Sequence, residues 1–289
     1  MSFFNSFFGI TDLSKEQAVL CPFPHKTDSG ETYLENKPSA HVNTTEKLFH
    51  CKACGRGFNE TQFIEEVFGC DYITAKKVQM AFMTEETIED WDLTTEISKE
   101  TASRARSLGI SDTVIESLKI RTPNNMVERN VLAFPVEMYG ALLDIRKYNP
   151  GAVPKIKSNR GAISGLIIPF CNLQNTADGD PIFICAGEKD CSLASTHRMN
   201  AITITGGEKA KPVCPKLFAN KKVIILYDND DAGIDGANSL AEFLYPFTNK
   251  IKVVTGFHEI CKEKGEDITD FFMKYKGTVQ QLMAYVRAT

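Results

Sequence analysis

Val223-Ile224-Ile225-Leu226-Tyr227-Asp228-Asn229-Asp230-Asp231-Ala232-Gly233 is the stretch on which the fold turns. Lys222 to Tyr227 is a short apolar, β-branched run of the kind buried inside a sheet. Acids interrupt it, and from Ala232 to Phe247 the pattern is that of a helix. The same rhythm runs on either side. Pro181 to Ala186 reads as a buried strand, Asp190 to Asn200 as a helix, Ala201 to Ile204 as a strand and Lys250 to Val254 as a fourth strand. Strands alternating with helices predict a parallel sheet with right-handed crossovers. Upstream, Val131 to Val136 and Ile163 to Phe170 are short apolar runs with turns between them, and they too read as strands.

Acidic segments fall just after these strands: Glu188 and Asp190, then Asp228 to Asp231, then Asp267 and Asp270. In an open parallel sheet the carboxyl ends of the strands emerge on one edge, where ligands bind. Acids gathered there repel one another unless a cation lies between them, and hard carboxylate oxygens suit Mg2+ or Mn2+. A lone acid after a strand serves equally well as a helix N-cap, stabilised by backbone amides and the helix dipole. An Asp-x-Asp run accompanied by two further acidic loops points instead to a metal site held by Asp228, Asp230 and Asp267.

A second cluster lies near the N-terminus, in Cys21-Pro22-Phe23-Pro24-His25 and Phe49-His50-Cys51-Lys52-Ala53-Cys54-Gly55. One C-x3-H pair and one C-x2-C pair, joined by a loop, supply the four borderline-soft ligands of a tetrahedral structural zinc. The glycine after the second pair lets the backbone fold back so that amides face the thiolates. A redox Cys-x-x-Cys would open a helix after a strand, which is not the pattern here. The ligands are therefore Cys21, Cys51, Cys54 and a histidine. His25 is best placed; His41, on a mid-loop strand, and His50, adjoining Cys51, are the alternatives.

The chain has 289 residues, enough for more than one domain. Residues 1–70 read as the zinc-binding module. Residues 71–121 read as a helical connector: Ser98 opens one helix that Gly109 ends, and Ser111 caps another. Residues 122–180 form a mixed α+β segment and 181–289 the α/β domain. No apolar run spans a membrane, and the Phe-rich start lacks the basic flank of a signal peptide. Nine cysteines, an odd number without an export signal, argue against a disulfide framework, and the cytoplasm is the expected compartment. Cys70, Cys171, Cys185, Cys191, Cys214 and Cys261 read as small core residues.

The net charge of −4 hides an alternation. Arg146, Lys147, Lys155, Lys157 and Arg160 stand against Asp144 between Tyr139 and Gly161. Lys209, Lys211, Lys216, Lys221 and Lys222 stand against Glu208 alone, and an acidic stretch follows. Basic stretches beside an acidic one suit a phosphate-binding groove next to a metal site; ordinary surface patchiness gives the same pattern at lower specificity.

Cys21-Pro22-Phe23 with its histidine, Lys37-Pro38-Ser39-Ala40-His41-Val42 and Phe49 to Gly55 resemble the Cys-His-Cys-Cys zinc module of DnaG-type primases and phage primase-helicases. In that family the histidine more often follows the first cysteine by three residues; here it follows by four, and the loop is longer. Gly187-Glu188-Lys189-Asp190, Gly206-Gly207, Asp228 to Gly233 and Gly265-Glu266-Asp267 resemble, in order and spacing, the Toprim domain shared by these primases, topoisomerases, recombination-repair proteins and some nucleases. The resemblance implies a DNA primase that makes short RNA primers on single-stranded DNA from ribonucleoside triphosphates, with a replicative helicase as partner. It assigns catalysis to Glu188, Asp190, Asp228 and Asp230. Template and nucleotide phosphates go to Arg146, Lys147, Lys155, Lys157, Arg160, Lys189, Lys209 and Lys211, and Phe49 and Phe58 become candidates for base contact, although in so small a module such rings are more often core. Ala186 stands where the family pattern has its first glutamate. That departure keeps two other readings open, a Toprim nuclease and a non-catalytic DNA-binding factor. This sequence holds no Walker A motif and so no helicase motor of its own, which leaves it either a stand-alone primase or the primase half of a larger protein.

Overall fold

The computed structural model describes residues 2–12, 16–83, 93, 96–124, 131–159, 161–254 and 260–288. They form two compact units: Met1–Glu86 with Tyr139–Ala141 and Val213–Leu217, and Thr87–Met138 with Leu142–Pro212 and Phe218–Thr289. Of the segment read as a helical connector, one helix falls in the first unit and two in the second.

The first unit opens with α1 (Phe3–Phe8), followed by β1 (Gln17–Val19), β2 (His25–Lys26), β3 (Thr32–Tyr33), β4 (Ala40–Asn43), β5 (Leu48–Cys51) and β6 (Gly57–Asn59), and closes with α2 (Glu60–Phe68) and α3 (Tyr72–Met83). An antiparallel sheet runs β1-β4-β5-β6, with β2 and β3 a separate hairpin. The Phe-rich start is core. Phe3, Phe4, Phe49, Phe63, Phe68 and Phe82 are all fully buried, and Phe63 lies 5.1 Å from Phe4 and 4.9 Å from Phe49. Each such ring contributes about 2–3 kcal/mol of burial, so this small unit has an aromatic core of its own. Alternation along β5 sends Phe49 and Cys51 inward and Leu48 and His50 outward. Phe49 is thus packing, not a platform for bases; Phe58 is half-buried beside it, 6.2 Å away.

The second unit contains α4 (Lys99–Ser107) and α5 (Asp112–Ser117), capped by Ser98 and Ser111 as their sequences predict. A three-stranded sheet follows: β7 (Leu132–Met138), β8 (Ala141–Tyr148) and β9 (Ile156–Lys157). Then come β10 (Ile167–Ile168), α6 (Phe170–Asn175), β11 (Pro181–Cys185), α7 (Glu188–Thr196), β12 (Ala201–Ile204), β13 (Lys222–Leu226), α8 (Asp231–Leu244), β14 (Ile251–Val253) and α9 (Val279–Ala288). The five-stranded sheet has the order β10-β12-β11-β13-β14. Four of its strands are parallel; β10 is an antiparallel edge, shorter than the run from Ile163 to Phe170 suggests because Pro169 has no N–H to extend the ladder and α6 begins at Phe170. β11, β12 and β13 are almost wholly buried, which is why they read as continuous apolar runs. Cys185, Cys191, Cys214 and Cys261 are buried, Cys70 is half-buried and Cys171 is exposed, so the core reading fails for Cys171, which lies on α6 outside its buried positions Phe170 and Leu173. Among the described residues no helix is long and apolar enough to cross a membrane.

Candidate functional site

Two groups of ligand-bearing side chains stand out, one in each unit. In the first, atoms of Cys21, His25, Cys51 and Cys54 all lie within 4.8 Å of one another. Cys21 Sγ is 3.9 Å from Cys54 Sγ, and His25 Nε2 is 3.7 Å from Cys51 Sγ. A tetrahedral zinc with bonds of about 2.3 Å to sulfur requires ligand separations of about 3.8 Å, so the cluster fits a structural zinc site. Cys51 closes β5, and Gly55, at φ 70°, turns the chain so that Cys54 N–H points at Cys51 Sγ, 3.4 Å away. The histidine choice resolves by strand geometry. His41 and His50 are cross-strand partners in β4 and β5, and His50 points to the face opposite Cys51, whereas His25 is buried against it.

Glu35 completes this centre, and nothing in the ligand spacing announces it. Its Oε1 accepts from Cys21 N–H at 2.5 Å and Ser39 N–H at 3.2 Å, and its Oε2 lies 3.7 Å from His25 Nε2 and accepts from the Ser39 hydroxyl. Ser39 Oγ is in turn 3.2 Å from Cys51 Sγ. Burial works against ionisation of Glu35, but the Ser39 and Cys21 hydrogen bonds prevail and hold its pKa below the ordinary value. Burial pushes the Cys21 thiol up to about 12, with the neighbouring sulfurs adding to the effect. Thiolates crowded this way coexist only around a cation.

In the second unit Asp190, Asp228 and Asp267 converge, with carboxylate oxygens within 4.8 Å of one another. Sheet order explains the meeting. β11 and β13 are neighbours with Cys185 opposite Leu226, so the turns that follow them emerge side by side. Asn229 N–H donates to Glu266 O at 2.9 Å and Gly265 N–H to Asn229 O at 2.8 Å, which ties the third acidic loop to the Asp228 turn. The Thr269 hydroxyl donates to Asp190 Oδ1 at 2.6 Å, and Asp270 N–H to Asp267 Oδ1 at 3.0 Å. Asp228 Oδ1 is buried without any hydrogen-bond partner. Burial, then Asp190 and Asp267, raises the Asp228 pKa to about 8; burial, then Asp267, raises that of Asp190 to about 6. An orphaned buried oxygen among three acids is what a hard cation would relieve, so the residues fit Mg2+ or Mn2+.

The other carboxylates assigned from sequence lie outside this triad. Asp230 caps α8, accepting from Gly233 N–H at 2.8 Å. Glu188 is buried and paired with Arg146 Nε at 2.6 Å, while Arg146 also donates to Ser158. Lys189 enters the triad itself, 2.8 Å from Asp267 Oδ2 and 3.2 Å from Asp190 Oδ1. Lys155, Lys157 and Lys209 are exposed, Lys147 is half-buried, and Lys211 donates to Ser239. Lys147 and Lys157 sit directly opposite on β8 and β9, a like-charge pairing that is unfavourable without an anion over it. Arg160 lies outside the described residues. Ala186, the last residue before Gly187, brings no carboxylate.

Gly233 sets the closeness of the Asp228 turn to α8. A Cβ there would meet Asp228 O at 2.3 Å and its C and N at 3.0 Å, all backbone. Gly233→Ala is expected to destabilise the second unit by about 3 kcal/mol or more and to weaken divalent-ion binding together with it, read by denaturant unfolding and Mn2+ titration.

No protein-family model matches the sequence, and no curated protein matches it. The fold does have solved counterparts. The zinc-binding and RNA polymerase domains of the Aquifex aeolicus primase superpose with a TM-score of 0.52 at 15% identity, over 99% of this chain and 81% of that one. The DnaG catalytic core gives 0.52 at 15% identity, over 75% and 79%. The DnaG primase catalytic domain bound to ssDNA gives 0.53 at 16% identity, over 75% and 83%. This chain shares the fold of the zinc-binding and RNA polymerase domains of DnaG-type primases.

Proposed function

We propose that the protein is a DNA primase that builds short RNA primers on single-stranded DNA by metal-dependent nucleotidyl transfer. The observation that carries this reading is the convergence of Asp190, Asp228 and Asp267 at the carboxyl edge of the parallel sheet, within a fold shared with DnaG-type primases. In this reading 181–289 is a Toprim domain, 122–180 its basic companion, 1–70 the zinc module and 71–121 the connector. Asp190, Asp228 and Asp267 hold Mg2+ or Mn2+, which when bound neutralises phosphoryl charge and acidifies a 3′-hydroxyl. Thr269 and Asp270 fix the directions of Asp190 and Asp267. Asp230 acts by holding the start of α8 and so the Asp228 turn. Lys147, Lys155, Lys157 and Lys209, with Arg160, take template and triphosphate backbone. Arg146 and Glu188 brace one another. The zinc module contacts the template, and a replicative helicase is the partner.

Incubation with single-stranded template, ribonucleoside triphosphates and Mg2+ or Mn2+ tests this. New short RNA from the wild type and none from Asp228→Asn is the expected result. Ala186 and the engagement of Glu188 with Arg146 favour a second reading, a template-binding factor without catalysis. Template binding with no RNA product would establish that reading, and shortened DNA would establish a nuclease.

A further inference from the structure

Lys189 is the second residue of α7, yet it does not reach solvent as a helix-surface lysine does. Its ammonium bridges Asp267 Oδ2 at 2.8 Å and Asp190 Oδ1 at 3.2 Å, with its side chain 22% exposed. Asp190 Oδ1 also receives the Thr269 hydroxyl, and Asp267 Oδ1 receives Asp270 N–H. Those oxygens of Asp190 and Asp267 are thereby occupied, whereas Asp228 Oδ1 is buried and unpartnered. Three carboxylates against one ammonium leave two negative charges, the complement of a single divalent ion.

We propose that Lys189 is a built-in cation that fills one of two metal positions, so that the triad takes one divalent ion, on the Asp228 side. Sites that drive in-line phosphoryl displacement with two metals place them about 4 Å apart. Here a tethered ammonium stands in one of those places. It screens Asp190 from Asp267 and is held by a charge-assisted hydrogen bond to Asp267 and an ion pair with Asp190. It also repels a second dication, since like charges a few ångströms apart in a partly buried site interact strongly. The consequence is a site whose ion is bound through Asp228 and whose Asp190–Asp267 half is preorganised without metal. The inference rests on the divalent-ion reading of the triad, and it is independent of whether the chain makes RNA.

Counting bound Mn2+ by the loss of its free spin-resonance signal, on the full zinc-loaded chain, tests it. The wild type is expected to bind one Mn2+ that Asp228→Asn abolishes. Lys189→Met is expected to bind Mn2+ roughly tenfold or more tightly, or to take a second ion, while Lys189→Arg keeps a single ion. Two Mn2+ in the wild type, both lost in Asp228→Asn, would overturn the proposal, as would Lys189→Met with unchanged affinity and count. If Lys189→Met does not fold, the wild-type count decides alone. One ion bound without primer synthesis counts against the polymerase reading and supports this one. No ion bound counts against the metal site and overturns the proposal with it.

Discussion

Stripping zinc from the first unit is expected to release residues 17–51 from their native hydrogen bonds while the parallel sheet of the second unit stays protected. Cys21, His25 and Cys51 are 3%, 3% and 0% exposed, and the Glu35 side chain, 7% exposed, lies beside them. Without a cation, sulfurs and a carboxylate crowd together with little exposed surface, and the penalty for a buried unpaired charge is several kcal/mol. Structural zinc contributes on the order of 10 kcal/mol in small domains. The hairpin of β2 and β3 has little else to hold it, because both residues of β3 are exposed and its ring contact, Tyr33 edge-on to His25 at 5.4 Å, leans on a zinc ligand. α2, α3 and the rings around Phe63 are a separate source of cohesion, so unfolding should stop short of them. Hydrogen exchange followed by mass spectrometry, with and without chelator, reads the outcome by segment. Cys51→Ser should reproduce the chelated pattern, and Glu35→Ala should lower zinc affinity by about 10–100-fold through loss of its hold on Cys21 and Ser39. Full protection of 17–51 in zinc-free protein would sink the assignment.

Strands and ligands of these sites were legible in sequence for different reasons from the ones that hid the rest. Three cysteine ligands follow from spacing alone, because a C-x2-C turn and a nearby third cysteine have few other uses in a chain of this kind. Spacing also favours His25, which joins the cluster, but excluding His41 and His50 depends on which face of β5 each meets. The meeting of Asp190 with Asp228 follows from strand order, with β11 beside β13 although β12 lies between them in the chain. What each acid does there is a matter of ångströms. In Asp228-Asn229-Asp230 the two readings of an acid after a strand are both realised, one in each aspartate: Asp228 turns into the triad and Asp230 caps α8. Glu188 and Lys189 were hidden in the opposite sense. The glutamate, placed like a catalytic acid, is spent on Arg146, and the lysine, placed like a surface residue, enters the cluster. The α1 core was hidden because an isolated short helix has no sequence period long enough to read.

Asp228→Asn is expected to abolish divalent-ion binding and any chemistry that needs it, and at the same time to make the metal-free protein more stable. The sign follows from linkage. The carboxyl of Asp228 has an unfolded value near 3.8 and a folded value of about 8, raised first by burial and then by Asp190 and Asp267. Between those values the folded state holds a proton that the unfolded state has released, so stability falls as pH rises through that window, and the penalty is complete above about 8. An amide of the same shape carries no charge and escapes it. The wild type should therefore match the variant near pH 4 and lag it increasingly toward pH 8, by roughly 2–4 kcal/mol once the exposure of the turn is allowed for. Asp190, raised to about 6, adds a smaller loss of the same sign that both proteins share. Mg2+ competes with that proton, so its stabilisation of the wild type should be larger at about pH 9 than at about pH 6, and absent in the variant. Thermal melts of both proteins across pH, with and without Mg2+, measure all of this. A variant less stable than the wild type at every pH would mean that Asp228 is held by partners rather than waiting for a cation, and the triad would lose its standing as a metal site. A stabilised variant that also fails to bind Mn2+ would show the site keeping its acids close at a cost in fold stability that only the ion removes.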